Sequence, residues 1–157
     1  RMSIEAVKDY FRTLGRENDI QELALSSATV ELAAEALHVE PARIAKTLSF
    51  VDGDGCLLVV AAGDAKIDNQ KFKAAFGFKA KMLSPDDALR LTGHAVGGVC
   101  PFALPDNVKV YIDISLKRFD TVYPACGSSN SAIALTCVEL FQYAKADQWV
   151  DVCKAWE

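Results

Sequence analysis

The stretch KTLSFV, DGDG, CLLVVAA, running from Lys46 to Ala62, restricts the possible folds more than any other part of the chain. Two apolar runs flank Asp52, Gly53, Asp54 and Gly55, and glycine and aspartate tolerate the positive φ of a tight turn. The reading is a hairpin of two neighbouring buried strands. Helices are expected on either side of it. Ser3 precedes Ile4, Val7, Phe11 and Leu14 at helical spacing, with Gly15 as the stop. A second helix is expected after Ser26 and Ser27, through Val30, Ala33, Ala34 and Leu37, ended by Pro41.

Beyond the hairpin, DNQKFKAAF reads as a helix ending near Gly77. SPDDALRLTG is the most clearly punctuated helix: Ser84 caps it, Pro85 opens it, Asp86 and Asp87 favour its dipole and Gly93 ends it. VKVYIDI, TVYPAC and SAIALT are short β-rich segments separated by turn residues. Thr136 and Glu139 form a capping box for a helix over CVELFQYAKA, and DQWVDVCKAW predicts a final helix. Strands and helices interleave irregularly, so the class is α/β (mixed) and not a doubly wound parallel sheet.

At 157 residues, 51% hydrophobic and 24% charged, the chain fits a single domain over residues 1–157 with a real core. No apolar run reaches the roughly 18 residues of a membrane span, and the N-terminal stretch lacks a secretory core. Five cysteines, an odd number without CxxC spacing, suggest neither a disulfide framework nor a zinc ribbon, so a cytoplasmic location is expected. The net charge of −4 gives no global support for a polyanionic partner. Locally, Lys66, Lys71, Lys73, Lys79 and Lys81 face a single acid, Asp68, within KIDNQKFKAAFGFKAK. Such an island is either a phosphate-binding patch or the solvated face of a helix.

GHAVGGVCPF, residues 93–102, admits three chemistries. Gly97 and Gly98 let the backbone bend sharply, and Pro101 stiffens the loop's end by fixing its own φ and extending Cys100. A rigid loop of this kind can present the amides of Gly98, Val99 and Cys100 to an acyl oxygen, or simply join a helix to a strand. A Cys100 nucleophile with His94 as base lacks an identifiable orienting group. His38, His94 and the scattered cysteines match no metal-ligand spacing, and no cofactor motif is present. Lys46 opens a predicted buried strand, where it is either a solvated terminus or a cation facing a cleft. CGSSNSA offers Ser128, Ser129 and Asn130 on a turn.

In this order, Lys46 in AKTLSF, AGD at residues 62–64, the glycine-x-x-x-proline loop from Gly97 to Pro101, YIDISL and GSSNSA resemble the YbaK and prolyl-tRNA synthetase-associated editing domain family. The resemblance implies a curved, largely antiparallel mixed β-sheet wrapped by helices. It further implies a trans-editing hydrolase that deacylates mischarged aminoacyl-tRNA without a metal or other cofactor, with a synthetase as a possible further partner. Gly97 to Pro101 would hold the aminoacyl carbonyl and terminal ribose, and Lys46 would engage a phosphate or the α-carbonyl. Asp113 or Asn130 would take the place of a catalytic aid found near the domain's end in other branches, and the lysine island would meet the acceptor stem. Cys100 and Ala103 stand where relatives often carry serine and glycine.

Overall fold

The hairpin expected from Lys46 to Ala62 lies at the centre of the sheet in the computed structural model, which describes residues 3–157. The chain enters through helix α1 (Ser3–Thr13), strand β1 (Gln21–Glu22) and helix α2 (Val30–Leu37). The hairpin strands β2 (Ile44–Asp52) and β3 (Gly55–Ala62) follow, then β4 (Lys66–Ile67), α3 (Asn69–Phe76) and α4 (Pro85–Thr92). The C-terminal half contributes β5 (Lys109–Asp113), β6 (Tyr123–Pro124), β7 (Ser131–Ala132), α5 (Cys137–Tyr143), β8 (Gln148–Val150) and β9 (Cys153–Lys154).

The main sheet has the order β6-β2-β3-β5-β8 and is curled and mixed, with helices flanking it. Its central hairpin β2–β3 is antiparallel, as are the small pairs β1–β7 and β4–β9 outside it, whereas β2–β6, β3–β5 and β5–β8 are parallel. The cause lies in the connections, since β3 reaches β5 through α3 and α4, a crossover of the length that parallel neighbours need. β3 is the core strand: Leu58, Val59, Val60, Ala61 and Ala62 are all fully buried. Burying a Val or Leu side chain contributes roughly 1.5–3 kcal/mol, so this strand fixes the register of its neighbours. Phe50, Phe72, Phe76 and Tyr111 pack in successive ring contacts of 4.7–4.9 Å, seating α3 on the sheet. Phe11 meets Phe102 at 4.9 Å and Tyr143 at 5.8 Å, drawing α1, α5 and the loop after α4 together.

The expected final helix over residues 147–156 is corrected to two short strands, β8 and β9. Trp149, Val152, Cys153 and Trp156 satisfy helical spacing, but tertiary pairing overrides it. The open edge of β5 takes β8, β4 takes β9, and between them Val152 donates to Asp113 and accepts from Asp68. The second helix also starts later than expected. Thr29 caps it at Leu32 N, leaving Ser26 and Ser27 free to bridge to the carbonyl of Ser129.

Candidate functional site

Strand β2 is paired from Ala45 to Asp52 on the β3 side but only at its ends on the other. Ile44 and Ala45 pair with β6, and farther along Val51 donates to Lys81 O at 2.8 Å while Ser49 O accepts from Leu83 N at 3.1 Å. Between Ala45 and Ser49 the outer edge has no strand partner among the described residues. That notch floors a cleft of about 330 Å³. Its walls are the segment leading into α2 (Ser27 to Val30), the glycine loop (Val96, Gly97, Val99), Met82 and Leu83, and Ser131 and Ala132 of β7.

Lys46 and the glycine loop therefore meet in one cleft, although they lie far apart in sequence. Lys46 is half-buried, and its ammonium donates to Gly63 O at 3.3 Å and to Ala65 O. An ammonium has three donors, so one remains for a ligand. Burial lowers the Lys46 pKa from the ordinary lysine value, and Cys153, Asp64 and Glu31 offset part of that shift. Gly63 is needed here for space: a Cβ would lie 2.1 Å from Pro41 O and 2.7 Å from Val30 Cγ1. Asp64 beside it forms a two-pronged pair with Arg118, at 2.6 and 3.0 Å.

The loop owes its path to its glycines. Gly97 has φ 94°, and a Cβ on Gly98 would stand 2.9 Å from Ser128 Cα and 3.0 Å from the Gly127 carbonyl. The loop thus lies against the serine-rich turn in a way no other residue permits. Of its three expected donors, Gly98 N–H is spent on Ala95 O at 2.9 Å. Val99 lines the cleft, and its amide has no hydrogen-bond partner among the described residues. Cys100 and Pro101 lie behind the loop, fully buried or nearly so and away from the cleft lining.

His94 and Cys100 do meet, with Sγ 3.5 Å from Nε2, but not as a nucleophile and its base. His94 Nε2 donates to Phe102 O at 2.7 Å, which leaves Nδ1 to accept the Ser3 hydroxyl. Burial lowers the histidine pKa and pushes the Cys100 thiol up to about 12. The ring is a structural tie between α1 and the loop, and the thiol is inert. Ser3, expected as a helix cap, spends its side chain on this tie.

Asp113 is buried away from the cleft. Its oxygens accept from Ser115 N and Val152 N, both at 2.9 Å, so it holds the tail and not a ligand. Ser128 bonds Asn130 Oδ1 and Ser131 Oγ, while Asn130 exchanges hydrogen bonds with Leu23 through Nδ2 (3.1 Å) and its carbonyl (2.6 Å). With Ser129, which takes Ser26 and Ser27, these residues brace the cleft wall from behind. The lysines divide. Lys71 is tied to Asp151 and Cys153 O, Lys66 lies on β4, and Lys73 on α3 is exposed. Lys79 and Lys81 are exposed just before Met82 on the cleft rim.

Sequence reasoning missed Thr47, Ser49 and Ser131 on the cleft. The signal was present in AKTLSF, where Thr47 and Ser49 fall two apart between Ala45 and Val51, on the strand face opposite to Lys46. Among the described residues no helix is long and apolar enough to cross a membrane.

This architecture has known counterparts. YwhH of Bacillus subtilis, a protein without an assigned function, is 57% identical over 157 residues, covering 99% of this chain and 100% of that protein. A proline–tRNA ligase of Lysinibacillus sphaericus is 35% identical over 116 residues, 72% of this chain but 20% of the ligase. The chain therefore spans about one fifth of the ligases it matches. A crystal structure of a proposed trans-editing enzyme for prolyl tRNA synthetase superposes with a TM-score of 0.87 at 29% identity, covering 97% of both chains. Residues 26–143, which include the hairpin, the glycine loop and the serine-rich turn, match the aminoacyl-tRNA editing domain family, and the chain belongs to that family.

Proposed function

We propose that this protein is a trans-editing hydrolase that deacylates mischarged aminoacyl-tRNA in the cleft above β2. One observation supports the reading: Lys46, whose ammonium keeps one uncommitted donor, and Val99, whose amide has no partner among the described residues, both line the same small cleft. An aminoacyl ester is already activated, so its hydrolysis needs a positioned water and donors for the developing oxyanion, not a protein nucleophile. The chain's inventory agrees, because its loop thiol is protonated and its loop histidine is tied up on both nitrogens. In this scheme Val99 N–H supports the oxyanion, and Lys46 holds the acyl carbonyl or a terminal phosphate in register. Proton transfer falls to water or the vicinal ribose hydroxyl.

Because a cleft of about 330 Å³ must also receive the terminal ribose, the reading favours a small aminoacyl side chain, and the rim is apolar, with Met82 56% and Val96 63% exposed. Such a rim suits the stacked bases of a tRNA terminus, with Lys79 and Lys81 placed beside it for backbone phosphates. A separate editing site is needed because a synthetase pocket separates amino acids differing by one methylene by only ~1–3 kcal/mol. The test is incubation of the protein with a panel of mischarged tRNAs, prolyl-tRNA acceptors included. Hydrolysis of at least one ester well above the buffer rate is expected. Saturable tRNA binding with no hydrolysis of any ester would replace the enzyme by a binding module.

A further inference from the structure

The notch in β2 concentrates unsatisfied polar groups at one residue. Odd-numbered residues of β2 direct their main-chain groups away from β3, as the bonds of Ser49 O and Val51 N to Leu83 and Lys81 establish. Thr47 therefore turns its N–H and C=O outward, into the gap left between β6 and the Lys81–Leu83 segment. Neither group has a hydrogen-bond partner among the described residues. The Thr47 hydroxyl is buried at the same point and is likewise without a partner. Buried polar groups are nearly always paired, so the unpartnered hydroxyl, beside a main-chain donor and acceptor left open to the cleft on the same residue, requires an explanation.

A strand edge with one outward N–H and one outward C=O is complementary to one residue of an antiparallel partner, which donates its own N–H and offers its own C=O. An aminoacyl group is that residue in isolation, carrying one α-amino donor and one carbonyl acceptor. We propose that Thr47 grips the aminoacyl moiety through its main chain, its C=O accepting from the α-amino group and its N–H donating to the acyl carbonyl. The grip deepens the deacylase reading and rests on it. It reads the α-amino acid scaffold irrespective of side chain, and it leaves side-chain selection to the cleft walls. It also supplies a second main-chain donor to the acyl oxygen where Gly98, with its amide committed to Ala95, supplies none.

The experiment has two arms. In the first, deacylation of alanyl-tRNA(Pro) is compared with that of its α-hydroxy counterpart, lactyl-tRNA(Pro), each rate divided by its rate in buffer. The proposal expects kcat/KM for the α-hydroxy ester to fall at least ten-fold, because a neutral hydroxyl offers one donor in place of the charge-assisted donors of the protonated α-amino group. In the second, 3′-deoxy-3′-(L-alanylamino)adenosine is titrated into isotope-labelled protein, and amide hydrogen exchange is followed. Thr47 N–H should exchange readily in the free protein and slow at least ten-fold at saturation. Equal handling of the two esters, or binding of the analogue without protection of Thr47, overturns the grip and leaves the deacylase reading standing. Absence of both analogue binding and hydrolysis of any mischarged tRNA overturns both.

Discussion

Replacing Gly63 by alanine tests the link between the hairpin end and the cleft. The added Cβ would lie 2.1 Å from Pro41 O, 3.0 Å from Pro41 C and 2.7 Å from Val30 Cγ1. A contact of 2.1 Å is far inside van der Waals distance, and the nearest atom is main chain, which no rotamer change can move. The segment leading into β2, or α2 itself, must therefore shift, and overpacking of this kind costs about 1–3 kcal/mol. For a chain of this length ~2 kcal/mol lowers Tm by about 4–8 °C. The function should suffer as well, since Val30 lines the cleft and Gly63 O holds the Lys46 ammonium. The control is Gly55→Ala, where the new Cβ meets only Asp52 O at 3.7 Å. Urea unfolding of the two variants and wild type gives the comparison. A Gly63→Ala protein as stable as Gly55→Ala would refute the close approach of Pro41 to this strand end.

Other expectations follow from individual side chains. Burial depresses the folded-state His94 pKa below its unfolded value of about 6.5, so stability is intact above that pH and falls as pH drops through it. His94→Gln should flatten the urea-midpoint profile between pH 7 and 5.5, and an unchanged slope would contradict the assignment. Asp113→Asn leaves one of two buried amides facing an NH2 group in place of an oxygen, at a cost of about 2–3 kcal/mol in urea unfolding. A loss below about 0.5 kcal/mol would mean that those bonds are not made. Ala103 has φ 54°, the left-handed region that favours glycine, so Ala103→Gly should gain about 0.5–1 kcal/mol by the same measurement.

Much of this was legible where a local signal agreed with the tertiary need. The Asp-Gly turn gave the hairpin, and Ser84 and Gly93 bound α4 as expected, Ser84 accepting from Asp87 N and Gly93 taking the left-handed conformation. Lys46 and the glycine loop could be named from their order in the chain, and the fold brings them to one cleft. What failed was long-range. The tail 147–156 carries helical spacing, yet open edges on β4 and β5 claim it, and no local rule announces those vacancies. Gly98 had the right residue type for an exposed donor but closes a turn on Ala95, a matter of main-chain direction. Thr47 was overlooked because its relevance lies in where β6 stops, which depends on a strand nearly eighty residues away. Ala103 stood out only through the resemblance, which often implies a glycine there, and its φ of 54° lies in the left-handed region that glycine favours.

The central claim is that the Lys46 ammonium acts on substrate from the same cleft as the Val99 amide. Single-turnover deacylation of the best mischarged tRNA by wild type and Lys46→Ala tests it most directly, with circular dichroism showing that the variant is folded. We expect the rate constant to fall about 100-fold or more, as for loss of a transition-state donor. A folded Lys46→Ala protein that hydrolyses the ester at the wild-type rate would contradict the account.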